Sequence, residues 1–317
     1  SLAIAIANEF NIPFTIAKVM IMRGIDNRQK SRDFFFPNRE KIHSPFLMND
    51  MDKAVDRLHN QILGKNKILV FGDYDVDGTS GTSLIYLFLK SIGVSVDFYI
   101  PNRENEGYGL SNNGIDYAKY IGANLLITCD CAINAFKEID YANDLNIDVI
   151  ITDHHKPDKN LPNAFAILNP NRFDCSYPFK GLCGAGVAFK FALAYCEKYA
   201  LNTELVWEHS DLVAIATAAD LVPIIDENRI IVHDGLSKIS NGAKSGIKAL
   251  LKTGGLWDKN ITIGKLGFWF SPKINAAGRL GDAGRAVKLL TTDNHIYAME
   301  VARELEYENE RRKEITR

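Results

Sequence analysis

The chain has 317 residues, 46% of them apolar and 24% charged, the mixture of a globular protein with a sizeable core in one large domain or two ordinary ones. Lys and Arg number 37 and Asp and Glu 39, giving a formal net charge of −2. That balance excludes a histone-like or tail-driven nucleic-acid binder, but not an enzyme that holds phosphates with bound cations and a few arginines.

The opening, residues 1–10, is mildly apolar but lacks a basic start and is interrupted by Asn8 and Glu9, so it reads as a helix and not as a signal peptide. Residues 1–60 are expected to be helical, with Ile12, Ile16, Val19 and Met20 at helical spacing and Asp50 capping a helix over 51–63. The run Phe34-Phe35-Phe36-Pro37 is expected to pack this segment onto the next. From residue 67 the period changes. Short apolar runs at 67–72, 94–100, 124–129, 148–152 and 164–168 read as five strands, with helices at 79–92 and 132–143 between them. Such alternation means βαβ units and a mostly parallel, doubly wound α/β sheet. After Gly181 the pattern turns helical, over 185–199, 203–219 and 246–252. Residues 293–317 form one Glu- and Arg-rich helix that bridges lobes or continues into a further part of a longer protein. The expected organisation is therefore an N-terminal helical segment at 1–60, a catalytic domain at 61–290 and a long connecting helix at 291–317. No apolar run approaches the ~18 residues of a membrane helix. Five cysteines, an odd number that includes Cys129-x-Cys131, argue for structural thiols in a reducing compartment, hence the cytoplasm.

Three of the expected strands run straight into aspartate: Asp73-Tyr74-Asp75-Val76-Asp77-Gly78 after the first, Asp130 after the third, and Asp153-His154-His155 after the fourth. In an open parallel sheet ligands bind beyond the carboxyl ends of the strands, so these groups converge on one crevice. Five crowded carboxylates repel one another unless divalent cations neutralise them, and oxygen ligands with an imidazole suit Mn²⁺ or Mg²⁺. Each piece alone has a plainer explanation. The Asp-x-Asp-x-Asp-Gly run could be a solvated turn, although the glutamate of a calcium loop is missing, Leu84 standing there. Asp130 could cap the next helix, and paired histidines are often surface residues. Their shared position at strand ends favours the joint explanation. Asp220, at the end of an apolar helix, either faces water or joins the site. Gly181, Gly184 and Gly186 do not fit a dinucleotide-binding turn and suggest close backbone packing at a helix start near a phosphate. Trp207, Trp257 and Trp269 are expected in the core.

These residues resemble the DHH phosphoesterases, named for the triplet at 153–155, and within them the RecJ-type single-strand-specific exonucleases. The resemblance rests on VFGDYDVDGTSG at 70–81, IPNRENEGYGLS at 100–111, LLITCDCAI at 125–133, VIITDHH at 149–155, LCGAGVAFK at 182–190, ATAADLVP at 216–223 and SPKINAAGRLGDA at 271–283. It implies two divalent cations, Mn²⁺ or Mg²⁺. Asp75 with Asp73 would serve one, Asp77, His154 and Asp220 the other, and Asp130 both. It further implies that His155 faces the scissile phosphate and that Arg103 and Arg279 grip substrate phosphates. The implied activity is hydrolysis of single-stranded DNA from its 5′ end to 5′-mononucleotides, in repair and recombination, alongside a single-strand-binding protein or helicase and no membrane. One departure is Ala132, where relatives commonly carry glycine; it supplies no ligand and is expected to matter little. The second lobe and the oligonucleotide-binding barrel of such proteins do not appear. Two alternatives stand beside this one: a phosphodiesterase of short RNAs or cyclic dinucleotides, and a non-catalytic replication scaffold of the same fold.

Overall fold

The computed structural model describes residues 1–257, 260–280 and 282–316, without the side chains of 279, 280, 315 and 316. Three helices open the chain, α1 (Leu2–Phe10), α2 (Phe14–Met22) and α3 (Arg28–Phe35), and α4 (Met51–Leu63) leads into the sheet. The central part runs β1 (Ile68–Gly72), α5 (Val76–Ser91), β2 (Val96–Tyr99), α6 (Arg103–Glu106), α7 (Asn112–Tyr120), β3 (Leu125–Cys129), α8 (Phe136–Asp144), β4 (Asp148–Thr152) and β5 (Ala166–Leu168). Helices then take over: α9 (Gly184–Lys198), α10 (Glu204–Trp207), α11 (Ser210–Ala219), α12 (Asp226–Gly242) and α13 (Ser245–Thr253). The short α14 (Ile263–Lys265) precedes a π-helical turn at Leu266–Phe270, and α15 (Ser271–Leu280), α16 (Gly284–Thr291) and α17 (His295–Thr316) complete the chain. No single described helix is long and apolar enough to cross a membrane.

All five strands are parallel, in the order β2-β1-β3-β4-β5. Every residue of β1 and β3 is buried, as a sheet covered on both faces requires. Successive side chains point to opposite faces. Ile68, Val70, Leu125 and Ile127 join α4, α5, α9 and α11 in one core, whereas Leu69, Phe71, Leu126 and Val149 join α7 and α8 in a second. That is the doubly wound α/β arrangement expected. With β2 lying to one side of β1 and β3 to β5 to the other, the winding reverses between β1 and β3, the place where such sheets open a crevice.

Some local expectations need correction. Helix α4 has the expected bounds, but Asp50 does not cap it with its side chain. Its carboxylate instead accepts from the Ile167 amide at 3.0 Å and Arg172 Nη1 at 2.6 Å, tying α4 to β5. The segment expected as one helix at 203–219 breaks into α10 and α11. The phenylalanine run divides its work: Phe35 stacks on Phe10 in the N-terminal cluster, Phe34 receives the Arg229 guanidinium at 3.6 Å from its ring centroid, and Phe36 is exposed. Trp207 is buried as expected, but Trp257 and Trp269 are only half-buried. All five cysteines are free and buried.

Candidate metal centre

The strand ladder does not stop where the strands do. One residue past β1, the Asp73 amide donates to Cys129 O; one past β3, Asp130 donates to Thr152 O; one past β4, Asp153 donates to Leu168 O. Each aspartate is thus fixed by its own backbone to the next strand, and three carboxylates stand in a row along one sheet edge, starting at the switch point. Asp73, Asp130 and Asp153 are each at most 2% exposed.

Two helix starts complete the row. Asp75 is the N-cap of α5, its Oδ1 accepting from Asp77 N at 2.9 Å and Gly78 N at 3.0 Å. A Cβ at Gly78 would meet Asp73 O at 2.4 Å, so only glycine lets α5 begin this close to β1. Asp77 points to the start of α9, where Gly184 N donates to its Oδ2 at 2.7 Å and Ala185 N to its Oδ1 at 2.8 Å. A Cβ on Gly184 would lie 2.5 Å from Asp130 Cβ. The glycines at 181–186 therefore serve close packing, as expected, and the first amides of the helix are taken by the Asp77 carboxylate.

The 153–155 triplet divides its roles. Asp153 points back into the protein, accepting from Ile133 N, His154 N, His155 N and His155 Nδ1 at 2.7–3.0 Å. Burial raises its pKa, but the His155 bond and the backbone donors outweigh burial and hold the carboxyl below the usual range. That same bond lifts the His155 imidazole above its ordinary value. His154 turns the other way, its Nε2 3.2 Å from Asp130 Oδ1 and 3.7 Å from both Asp77 Oδ2 and Asp220 Oδ2. Asp220, the C-cap of α11, thus turns to the cluster.

Donor atoms gather in three overlapping sets, each within 4.8 Å: Asp73, Asp75 and Asp130; Asp77, His154 and Asp220; and Asp130, His154 and His155. Asp130 belongs to two of them. Among the described residues, Oδ1 of Asp130 and Nε2 of His154 are buried without a hydrogen-bond partner, and no side chain donates to either buried oxygen of Asp73. Buried polar atoms ordinarily find partners, so several such atoms converging on one place suit a bound cation. The electrostatics agree. Burial, then Asp75, pushes Asp73 up to about 7. Burial, then the neighbouring carboxylates, pushes Asp77 up to about 6 against the pull of His154, and drives Asp130 well above the carboxylate range. Hard oxygen donors with one imidazole, too crowded to ionise together, fit divalent cations.

Arg103 stands at the exposed start of α6, not among the donor atoms. Its guanidinium lies 5.3 Å from the Tyr74 ring centroid, which keeps it beside the 73–77 segment. The Arg279 side chain lies outside the described residues. Several residues were not singled out in sequence. Tyr108 places its hydroxyl 3.3 Å from His155 Nε2 and 3.4 Å from Asp130 O, with its ring edge-on to Tyr74. Asn169 and Asn171 donate to the carbonyls of His155 and His154 at 2.9 and 2.6 Å and pin the triplet. The flanking glycines Gly107 and Gly109 could have drawn attention to Tyr108; nothing in the pattern distinguishes the two asparagines. Ala132 also proves less innocent than expected. Its φ is +82°, in the region that favours glycine.

Comparison with known proteins agrees with this geometry. Residues 67–217 match the model of the DHH family, N-terminal domain. The single-stranded-DNA-specific exonuclease RecJ of Bacillus subtilis (strain 168) is 39% identical over 98% of this chain and 39% of its own length. A crystal structure of exonuclease RecJ bound to manganese superposes with a TM-score of 0.77 at 32% identity, covering 84% of this chain and 67% of that one. RecJ from Thermus thermophilus in complex with Mn²⁺ gives a TM-score of 0.82 at 28% identity, over 98% of this chain and 44% of that one. The chain spans 39–48% of the lengths of the first two curated relatives it matches. By its strand-end carboxylates, its histidine pair and these matches, the chain belongs to the DHH family, on the RecJ branch.

Proposed function

We propose that the chain carries the metal centre of a phosphodiesterase that hydrolyses single-stranded DNA from its 5′ end and releases 5′-mononucleotides. The observation that carries this is the convergence of buried donor atoms from Asp73, Asp130 and His154 on one sheet edge. Asp73, Asp75 and Asp130 would hold one divalent cation and Asp77, His154 and Asp220 a second, with Asp130 bordering both. Mn²⁺ or Mg²⁺ held there would supply water activation and charge neutralisation. The protein's own residues orient and donate. Asp153 fixes the His155 ring through Nδ1, so Nε2, which lies 3.3 Å from the Tyr108 hydroxyl, is the atom left to meet an incoming phosphate oxygen. Arg103, held beside the site over Tyr74, and Arg279 would bind further phosphate oxygens. The names of the relatives support single-stranded DNA over short RNAs, cyclic dinucleotides or a scaffold without activity. Buried free thiols support a reducing cytoplasm, where a single-strand-binding protein or a helicase would present the strand.

The test is degradation of single-stranded DNA labelled at each end in turn, with Mn²⁺, Mg²⁺ or chelator. We expect label released first from the 5′ end, none in chelator, and a loss of at least ~10³-fold in Asp130→Ala, the ~4 kcal/mol scale of losing a charge-stabilising centre. Preferential cleavage of dinucleotides would support the short-substrate alternative. Near-normal turnover by Asp130→Ala would remove its bridging role.

A further inference from the structure

The loop between β2 and α7 carries Arg103 and Tyr108, and one carboxylate gathers it. Glu106 Oε1 accepts from the Asn102 amide at 2.8 Å and lies 3.1 Å from the Tyr99 hydroxyl; Oε2 accepts from that hydroxyl at 3.0 Å and from Ser111 Oγ at 2.6 Å. Tyr99 ends β2, Asn102 is the N-cap of α6, and Ser111 is the N-cap of α7, accepting from Gly114 N at 3.2 Å. Three chain segments are thus joined through a single half-buried side chain. Burial and the adjacent charge push Tyr99 up to about 12, so its hydroxyl remains a donor.

The backbone beyond Glu106 runs through two glycines in a conformation that residues with side chains rarely adopt. Gly107 and Gly109 have φ of 82° and 84°, and nothing lies within 4 Å of where a Cβ would stand on either. Tyr108 sits between them, more than half exposed, yet its hydroxyl meets His155 Nε2 and the Asp130 carbonyl. Arg103, three residues before Glu106, lies over Tyr74, whose ring meets that of Tyr108 at 6.2 Å.

We propose that Glu106 is a positioning residue: by tying Tyr99, Asn102 and Ser111 together it holds Arg103 and Tyr108 against the metal centre, ready for the phosphate of the strand. This rests on the phosphodiesterase reading above. Glu106 touches neither donor set nor substrate; it acts through its two neighbours in the loop.

The test combines kinetics with a readout that needs no turnover. Glu106→Ala should raise KM for a 5′-phosphorylated strand and lower kcat/KM by ~10- to 100-fold, the cost of misplacing substrate-holding groups by about an ångström. Mn²⁺ affinity should stay within ~2-fold, and Glu106→Gln, which keeps an acceptor for Asn102, should recover part of the loss. In an Arg103→Ala/Tyr108→Phe background, Glu106→Ala should cost less than ~2-fold more, because groups acting in series are not additive. Amide exchange over 102–111 should accelerate in Glu106→Ala, first at Asn102. A full independent loss in that background, or a lowered unfolding temperature with KM unchanged, makes Glu106 merely structural and overturns the proposal. If the wild-type chain degrades no strand in Mn²⁺, the phosphodiesterase reading fails, and unchanged exchange at Asn102 would separately overturn the positioning role.

Discussion

Of two clusters of buried charge in this protein, one is finished and the other is not. On α9, Lys190 is fully buried, yet its Nζ donates to His43 O and lies 3.1 Å from Glu227 Oε2, whose other oxygen takes the Tyr177 hydroxyl at 2.6 Å. Every charge there has an opposite or a donor beside it. At the sheet edge, Asp73, Asp77 and Asp130 are as deeply buried, with His154 as a basic neighbour, and among the described residues no side chain donates to either oxygen of Asp73. The first cluster joins the N-terminal segment to α9 and α12. The second is a site whose crowded carboxylates could hold cations. Burial of charge alone does not mark function; burial of charge left unsatisfied does.

Breaking each cluster should have opposite consequences. Glu227→Gln leaves the Lys190 ammonium buried without its counter-charge and should destabilise the fold by about 3–5 kcal/mol; a lowered denaturant midpoint at unchanged slope would show it. Asp130→Asn, measured in chelator, should instead raise the midpoint, because it removes a carboxyl whose charged form its buried surroundings oppose.

Acidification sharpens the same contrast. Asp73 at about 7 and Asp77 at about 6 both lie above their ordinary 3.8, so the folded metal-free chain keeps protons that the unfolded chain has released. Their contribution to stability is complete below about 4 and is lost as pH rises through 6 to 7. Thermal unfolding in chelator should therefore shift upward from pH 7.5 to pH 5.5. With saturating Mn²⁺ the trend should reverse, because metal ligands must be deprotonated. The smallest effect concerns Ala132. Replacing it with glycine relieves ~1–2 kcal/mol of left-handed strain but loses a buried methyl worth ~0.8 kcal/mol, a net gain of about 0.2–1.2 kcal/mol in chemical denaturation.

The acidic edge was legible in the sequence because strand chemistry and site chemistry meet there abruptly: an apolar run such as 125–129 gives way to Asp130 within one residue. Asp220 was ambiguous, since a residue at a helix end shows its direction only once α11 has packed. Other features depend on contacts between distant segments. Helix α12 buries Glu227, Asn228 and Gly235 along with Ile231, Val232 and Ile239, so it lacks a clean apolar stripe. Helix α8 begins at Phe136, not 132, because Ala132 has a positive φ and the Ile133 amide goes to Asp153. Asp50 stands where a cap belongs, but Arg172, 122 residues away, draws its carboxylate aside. Tyr108 and Glu106 gain meaning only when their loop folds over His155.

The central claim is that the acidic edge exists to hold cations, and calorimetric titration of the metal-free chain with Mn²⁺ tests it most directly. We expect saturable uptake of two ions per chain, accompanied by a rise in unfolding temperature, and impaired uptake in Asp130→Ala. No saturable uptake, or an Asp130→Ala isotherm identical to that of the unaltered chain, would contradict it.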